Sequence, residues 1–368
     1  MRNTASAPGV YRPIFSKKST IAYFAVHDVN YPRNRMIRDH LTSNMNADIT
    51  VFPVDVRDGF LVNCKKLLRT AIRERRNRYD AVVLAEFSLE FVLFAWLLAK
   101  MTRAKLVVDF FVGLFETRSE DLQRTGKYTI RAFVYKALDR VALQLCDAGI
   151  IDTRMRADAL NRNIGMAKVH FLPVGAPDWA RPCAQLDTPR QGSVRILFYG
   201  GYSPLQAVDV AVRALALLDI EVSLTLIGDG GSRTQIESLA MDLGVQDSCH
   251  FQGRVPEGEL RDHICRSDIV LGIFGTSSKA ASVIANKVWQ GLSCGKVVVT
   301  RQSEALDELR GSTKGQLIEV PPSDPRALAD AIRELVDANG HHRQFNRTAT
   351  QLATYVEDRF ADVLGGTK

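Results

Sequence analysis

The chain lacks any run of the roughly 18–20 apolar residues that a membrane-crossing helix requires. Its longest apolar stretch, Phe91 to Ala99, is bounded by Glu90 and Lys100. The first 18 residues are basic but hold no apolar segment of the kind a secretory signal needs, so residues 1–18 are expected to form a loose basic arm. Six cysteines occur without any Cys-x-x-Cys pair, which argues against a structural zinc site and against a secreted disulfide framework. Reduced thiols and a cytoplasmic location, in solution or at the inner face of a membrane, are the expectation.

What is present is ordinary for a soluble globular protein: 46% apolar and 24% charged residues in a length of 368, enough for two domains. The charge is unevenly shared. Residues 1–190 hold 30 Lys+Arg against 19 Asp+Glu, whereas the remainder holds 18 against 22. Much of the excess lies in one segment, Lys65-Lys66-Leu-Leu-Arg69-Thr-Ala-Ile-Arg73-Glu-Arg75-Arg76-Asn-Arg78. Its spacing predicts a helix with Leu61, Leu68 and Ile72 on the inner face and the cations outside. Such a face is either simply solvated or attracts anionic lipid head groups. No ladder of aromatic and basic residues points to nucleic acid.

Short apolar runs alternate with helical stretches throughout. Strands are expected at Ile21–Val26, Ile49–Phe52, Ala81–Ala85, Leu106–Asp109 and Gly149–Ile151. Helices are expected near 33–43, 60–77, 88–101 and 128–146. Continuous apolar strands between helices imply a parallel sheet covered on both faces. The proline- and glycine-rich segment 173–193 reads as a linker. The same grammar restarts at Val194-Arg-Ile-Leu-Phe-Tyr199, followed by strands near 223–227, 250–252, 269–273, 296–300 and 316–319. The reading is thus α/β, with two tandem Rossmann-like, doubly wound parallel-sheet domains facing across a cleft: 19–172, then 194–342. A C-terminal helix over 343–368 is expected to cross back to the first domain.

Several ordered features stand out in the second half: Phe198-Tyr-Gly-Gly-Tyr-Ser-Pro204-Leu205, Leu226-Ile-Gly228-Asp-Gly230, His250-Phe-Gln-Gly253-Arg254-Val255 and Ser267-Asp-Ile-Val-Leu-Gly272. They are followed by Asn286-Lys287-Val-Trp-Gln290 and Gly295-Lys-Val-Val-Val-Thr300. Over about residues 194–340 this series resembles the carboxyl-terminal domain of the family-4, GT-B-type glycosyltransferases. The resemblance implies a nucleotide-sugar donor on the second domain and a hydroxyl acceptor on the first. It also implies transfer with retention and without a metal or other cofactor. The chain contains no Asp-x-Asp, the carboxylate pair that holds a metal in the other main transferase fold.

Breaking the bond between a sugar and a diphosphate loads negative charge onto the leaving group, so cations and backbone N–H groups are the residues to seek. Gly200 and Gly201 lie between a strand and a helix, where the backbone can approach a phosphate. Many relatives carry an arginine at position 201 and a lysine at 206; this chain has Gly201 and Gln206. Lys279 and Lys287 are the candidate replacements, and Lys296 is expected to be structural. Where the family motif has two glutamates, this chain has Ser282 and Gln290, the latter still able to bond a ribose diol. Gly228, Gly230, Arg254, Val255 and Asn286 complete the expected donor site. On the first domain, His27, Asp109 and Glu116 are candidates for orienting acceptor or sugar, and Asp28, Tyr31, Arg33 and Arg35 for meeting an anionic acceptor. The expected function is sugar transfer to a glycan, lipid-linked or small-molecule acceptor. The alternatives are a non-catalytic module of the same fold and, behind it, a sugar-nucleotide epimerase.

Overall fold

The computed structural model describes residues 12–115, 130–184, 193–313, 315–338 and 345–366. Two compact units emerge: residues 1–173 with 356–368, and residues 174–355.

The first unit runs β1 (Thr20–Val26), α1 (Pro32–Met45), β2 (Asp48–Pro53), α2 (Gly59–Glu74), β3 (Ala81–Leu84), α3 (Val92–Thr102), β4 (Lys105–Asp109), α4 (Ile130–Leu145), β5 (Ala148–Ile151), α5 (Arg154–Ile164) and β6 (Val169–Phe171). Its six strands are parallel in the order β2-β1-β3-β4-β5-β6. From Ile21 to Val26 every β1 residue is buried, as expected of a central strand covered by helices on both faces. Pro32 opens α1, where its missing N–H costs nothing, and Asn46 ends it in the left-handed conformation. Two elements escaped the sequence reading, α5 and β6. β6 is only three residues long and runs close to Pro173, so it offers too little periodicity to detect.

The second unit contains β7 (Val194–Tyr199), α6 (Val208–Leu215), β8 (Val222–Ile227), α7 (Arg233–Asp242), β9 (Cys249–Gln252), α8 (Glu257–Arg266) and β10 (Ile269–Leu271). It continues with α9 (Ser278–Ser282), α10 (Asn286–Ser293), β11 (Val297–Arg301), α11 (Asp307–Arg310), β12 (Leu317–Val320) and α12 (Pro325–Asp337), and the last helix, α13 (Asn346–Val363), is divided between the units after Tyr355. The sheet order is β12-β11-β10-β7-β8-β9, again all parallel. Chain direction across the sheet reverses between β7 and β10, the place where doubly wound sheets open a crevice at their carboxyl edge. In the first unit the equivalent switch falls between β1 and β3.

Three expectations are corrected. The basic arm does not extend to residue 18: Ile14 and Phe15 are buried, and their N–H groups donate to Val363 and Leu364 carbonyls at 2.9 and 3.1 Å. In α2 the inward residues are Asn63, Leu67, Ala71 and Glu74, whereas Leu61, Leu68 and Ile72 are exposed. Finally, not all six thiols are free, because Cys183 and Cys265 form a disulfide with Cα atoms 5.5 Å apart.

That bridge closes a loop of sequence separation 82. In chain-entropy terms such a loop stabilises by up to about 4–5 kcal/mol. Changing both cysteines to serine should therefore lower the melting temperature by several degrees, and reductant should bring the unaltered chain to the same value. Identical melting with and without reductant would show that the bridge contributes nothing. No helix among the described residues is long and apolar enough to cross a membrane.

Candidate functional site

At the carboxyl edge of the second sheet, the β7 and β8 strands end in glycines that touch. Gly200 has φ +142° and Gly228 φ +132°, a region that side chains disfavour. A Cβ on Gly228 would lie 2.0 Å from the Gly200 carbonyl oxygen. The two ends are also tied by a hydrogen bond from Gly200 N–H to Ile227 O at 2.9 Å. Beside them a pocket of about 300 Å³ is lined by Tyr199, Gly200, Gly201, Ile227, Gly228, Asp229, Arg254, Val255 and Leu260. Five of the residues expected at a donor site thus share one wall. Gly230 is close by, and its N–H donates to Asp229 Oδ1 at 2.8 Å.

Lys287 sits immediately behind this wall. It occupies the first turn of α10, a helix buried from Lys287 to Ser293. Its ammonium donates to Gln206 Oε1 at 2.6 Å and stands 3.6 Å from the centre of the Phe198 ring. It abuts the backbone of Gly200 so closely that a Cβ there would be 3.3 Å from Nζ. Among the described residues no carboxylate contributes to its environment, and burial holds the amine well below its ordinary pKa. Gln206 therefore does not leave a hole where many relatives have a lysine: it is the acceptor that orients Lys287.

Gln290 is positioned differently from the expectation. It is buried, and its Oε1 accepts from the Tyr199 hydroxyl at 2.8 Å. That contact fixes Tyr199 at the pocket wall, so Gln290 supports the site through Tyr199. Asn286 opens α10, one residue before Lys287. Lys279 and Ser282 belong to the short α9, where Ser282 Oγ donates to the Lys279 carbonyl at 3.1 Å. Neither lines the pocket. Lys296 is structural as expected, donating to Cys265 O and Ser267 O at 2.9 and 2.8 Å. Tyr199 and Asp229 were missed, although both flank glycines that the sequence had marked.

The first unit gathers a buried polar cluster at its own switch point. Arg33 Nε donates to Asp109 Oδ2 at 2.7 Å, with both side chains almost wholly buried, and Arg33 Nη1 donates to Leu172 O at 3.0 Å. Burial pushes the Asp109 carboxyl up, and the adjoining guanidinium opposes that push. These two residues neutralise each other and tie α1 to the end of β4. Arg33, expected to meet an anionic acceptor, and Asp109, expected to orient acceptor or sugar, are thus engaged with each other.

Glu86, just beyond β3, was missed. Its Oε1 accepts from Asn34 Nδ2 at 2.6 Å, while burial and then the charge of Asp109 raise it to about 7. It was detectable by the rule that singled out Asp109, an acid directly after a buried strand. Asp28 caps a turn by accepting from Asn30 N–H at 2.8 Å. Tyr31 packs edge-on against Phe87, with ring centres 5.1 Å apart, and Arg35 Nη1 reaches Asn30 O at 3.4 Å. His27 is half-buried near Phe91, and burial lowers its pKa, which favours the neutral ring. Glu116 lies outside the described residues.

Two Rossmann-like units, each built on a six-stranded parallel sheet, define the GT-B class of fold. Residues 193–338, which lie within the second unit, match the family model for glycosyl transferases group 1. Among curated proteins the chain is similar to a lipopolysaccharide core biosynthesis glycosyltransferase of Rhizobium meliloti, at 25% identity over 67% of this chain and 66% of that one. It is also similar to the D-inositol 3-phosphate glycosyltransferase of Kineococcus radiotolerans, at 30% identity over 46% of this chain and 44% of that one. The matched segment thus spans less than two thirds of either relative. Among solved structures, Anabaena HepE in complex with UDP-glucose superposes with a TM-score of 0.67 at 15% identity, over 93% of this chain and 98% of that one. Sucrose-phosphate synthase from Thermosynechococcus elongatus gives 0.67 at 14% identity, over 93% of this chain and 95% of that one. At such identities the likeness speaks for the fold.

Proposed function

We propose that the chain transfers a sugar from a nucleoside-diphosphate donor to a hydroxyl acceptor, with retention at the anomeric carbon and without a metal. The observation that carries this is Lys287, a buried lysine held behind Gly200 at the edge of the second unit's pocket. A diphosphate placed there would meet the Gly200–Gly201 backbone and the N-terminal turn of α10, and its charge would draw the Lys287 proton on. The complexes of Anabaena HepE with UDP and with UDP-glucose support a nucleotide-sugar in this class of fold. The loss of the glutamate pair at Ser282 and Gln290 is matched by a Lys287–Gln206 pair, which marks a branch built on Asn-Lys-x-x-Gln. A lipid-linked acceptor would bring the first unit to a membrane surface, in keeping with its positive charge.

Calorimetric titration with a panel of UDP-, ADP- and GDP-sugars should give saturable binding for one donor class. That donor should then be slowly hydrolysed, at a rate unchanged by EDTA. Binding without turnover on any acceptor would instead identify a non-catalytic module. No binding by any donor would sink the reading altogether.

A further inference from the structure

We propose that the outer face of α2 docks on an anionic phospholipid bilayer, with Leu61, Leu68 and Ile72 inserted among the head groups and the neighbouring cations resting on the phosphates. The proposal stands independently of the glycosyl-transfer reading. It rests on a helix that turns an apolar stripe the wrong way for a solvated surface.

The side of α2 packed on the unit is Asn63, Leu67, Ala71 and Glu74, one stripe with spacings of 4, 4 and 3. Leu61, Leu68 and Ile72 form a second stripe, roughly 120° around the helix at about 100° per residue. They are 74%, 39% and 45% exposed. A single exposed leucine is ordinary, but three large aliphatic side chains aligned along one outward stripe are not.

What lies next to the stripe selects the partner. Residues 57–78 contain eight Lys+Arg and two acids. Of those acids, Asp58 pairs with Lys66, and Glu74 is buried against Arg73, Asn77 and Tyr79. Lys65 and Arg69 follow the apolar stripe around the helix, Arg76 lies in the turn just beyond its end, and none of the three has an acidic partner among the described residues. A second copy of this face would set like charges against one another. A nucleic acid would use the cations but leave the leucines in water. An anionic bilayer uses both, because interfacial helices gain from apolar burial and from attraction to charged head groups together.

The test is co-sedimentation of the full chain with vesicles of phosphatidylcholine alone or with about a third phosphatidylglycerol. The unaltered chain should bind only the anionic vesicles, and less at high salt. The variant Leu61→Ser/Leu68→Ser/Ile72→Ser should lose at least about tenfold in partitioning. The variant Lys65→Glu/Arg69→Glu/Arg76→Glu should lose on the order of a hundredfold, given roughly fivefold per basic residue at such a surface. Both variants should keep the melting temperature, since these side chains are exposed. Absence of anionic-vesicle binding at low salt would overturn the proposal. So would equal binding by the triple-serine variant, or a concentration-dependent dimer that this variant abolishes.

Discussion

Replacing Lys287 with methionine lowers turnover of the nucleotide-sugar donor by about 10²–10³-fold, the usual loss when one preorganised group facing a developing oxyanion is removed. Methionine is chosen because it fills the same channel beside Phe198 and removes only the charge and its hydrogen bond to Gln206. The fold should persist, which a thermal scan checks. If turnover and donor affinity both survive, the cation is not at the diphosphate.

The same residue predicts a pH dependence. Burial depresses the Lys287 pKa in the free chain, and a bound diphosphate would raise it. Between those two values donor binding takes up a proton, so affinity falls as pH rises through the window, by at most about tenfold per unit. Below the free-chain value this group contributes no pH dependence. Calorimetry in two buffers of different ionisation enthalpy reports the uptake directly, and the methionine variant should show none.

The second large effect is structural. Gly228→Ala should destabilise the second unit by roughly 3–5 kcal/mol, combining backbone strain with overpacking. The added methyl would stand 2.0 Å from the Gly200 carbonyl oxygen, so β7 and β8 must part at the ends that form the pocket. Gly244→Ala is the control. It too has positive φ, +70°, but nothing lies within 4 Å of its Cβ. It should cost only about 1 kcal/mol. Equal melting of the two variants would mean that the close approach at Gly228 is not rigid.

The fold was legible because buried parallel strands leave an unmistakable apolar signature, and nearly every strand of both sheets lay within a residue or two of its expected place. Glycines 200, 228 and 230 were legible for a related reason: tight strand ends restrict the side chain, and the restriction shows in the sequence. Pairings of distant residues were not legible. Arg33 with Asp109, Lys287 with Gln206, and Cys183 with Cys265 are each 76 or more positions apart. Nothing local distinguishes a paired cation from a free one. The α2 error has another cause. Amphipathic spacing identifies an apolar stripe, but α2 carries two, and the one packed inward includes Asn63 and Glu74, which apolar periodicity does not mark.

The helix α13 belongs to both units, since the division falls between Tyr355 and Val356 within it. Its last turns supply Val363 and Leu364 carbonyls to Ile14 and Phe15, and the Gly365 carbonyl lies 2.8 Å from His40 Nε2. During synthesis, then, residues 174–355 can complete their own sheet first. The first unit keeps Ile14, Phe15 and His40 uncovered until residues 356–366 emerge to close it. The first unit thus depends for its closure on residues made more than 180 positions after its own sheet.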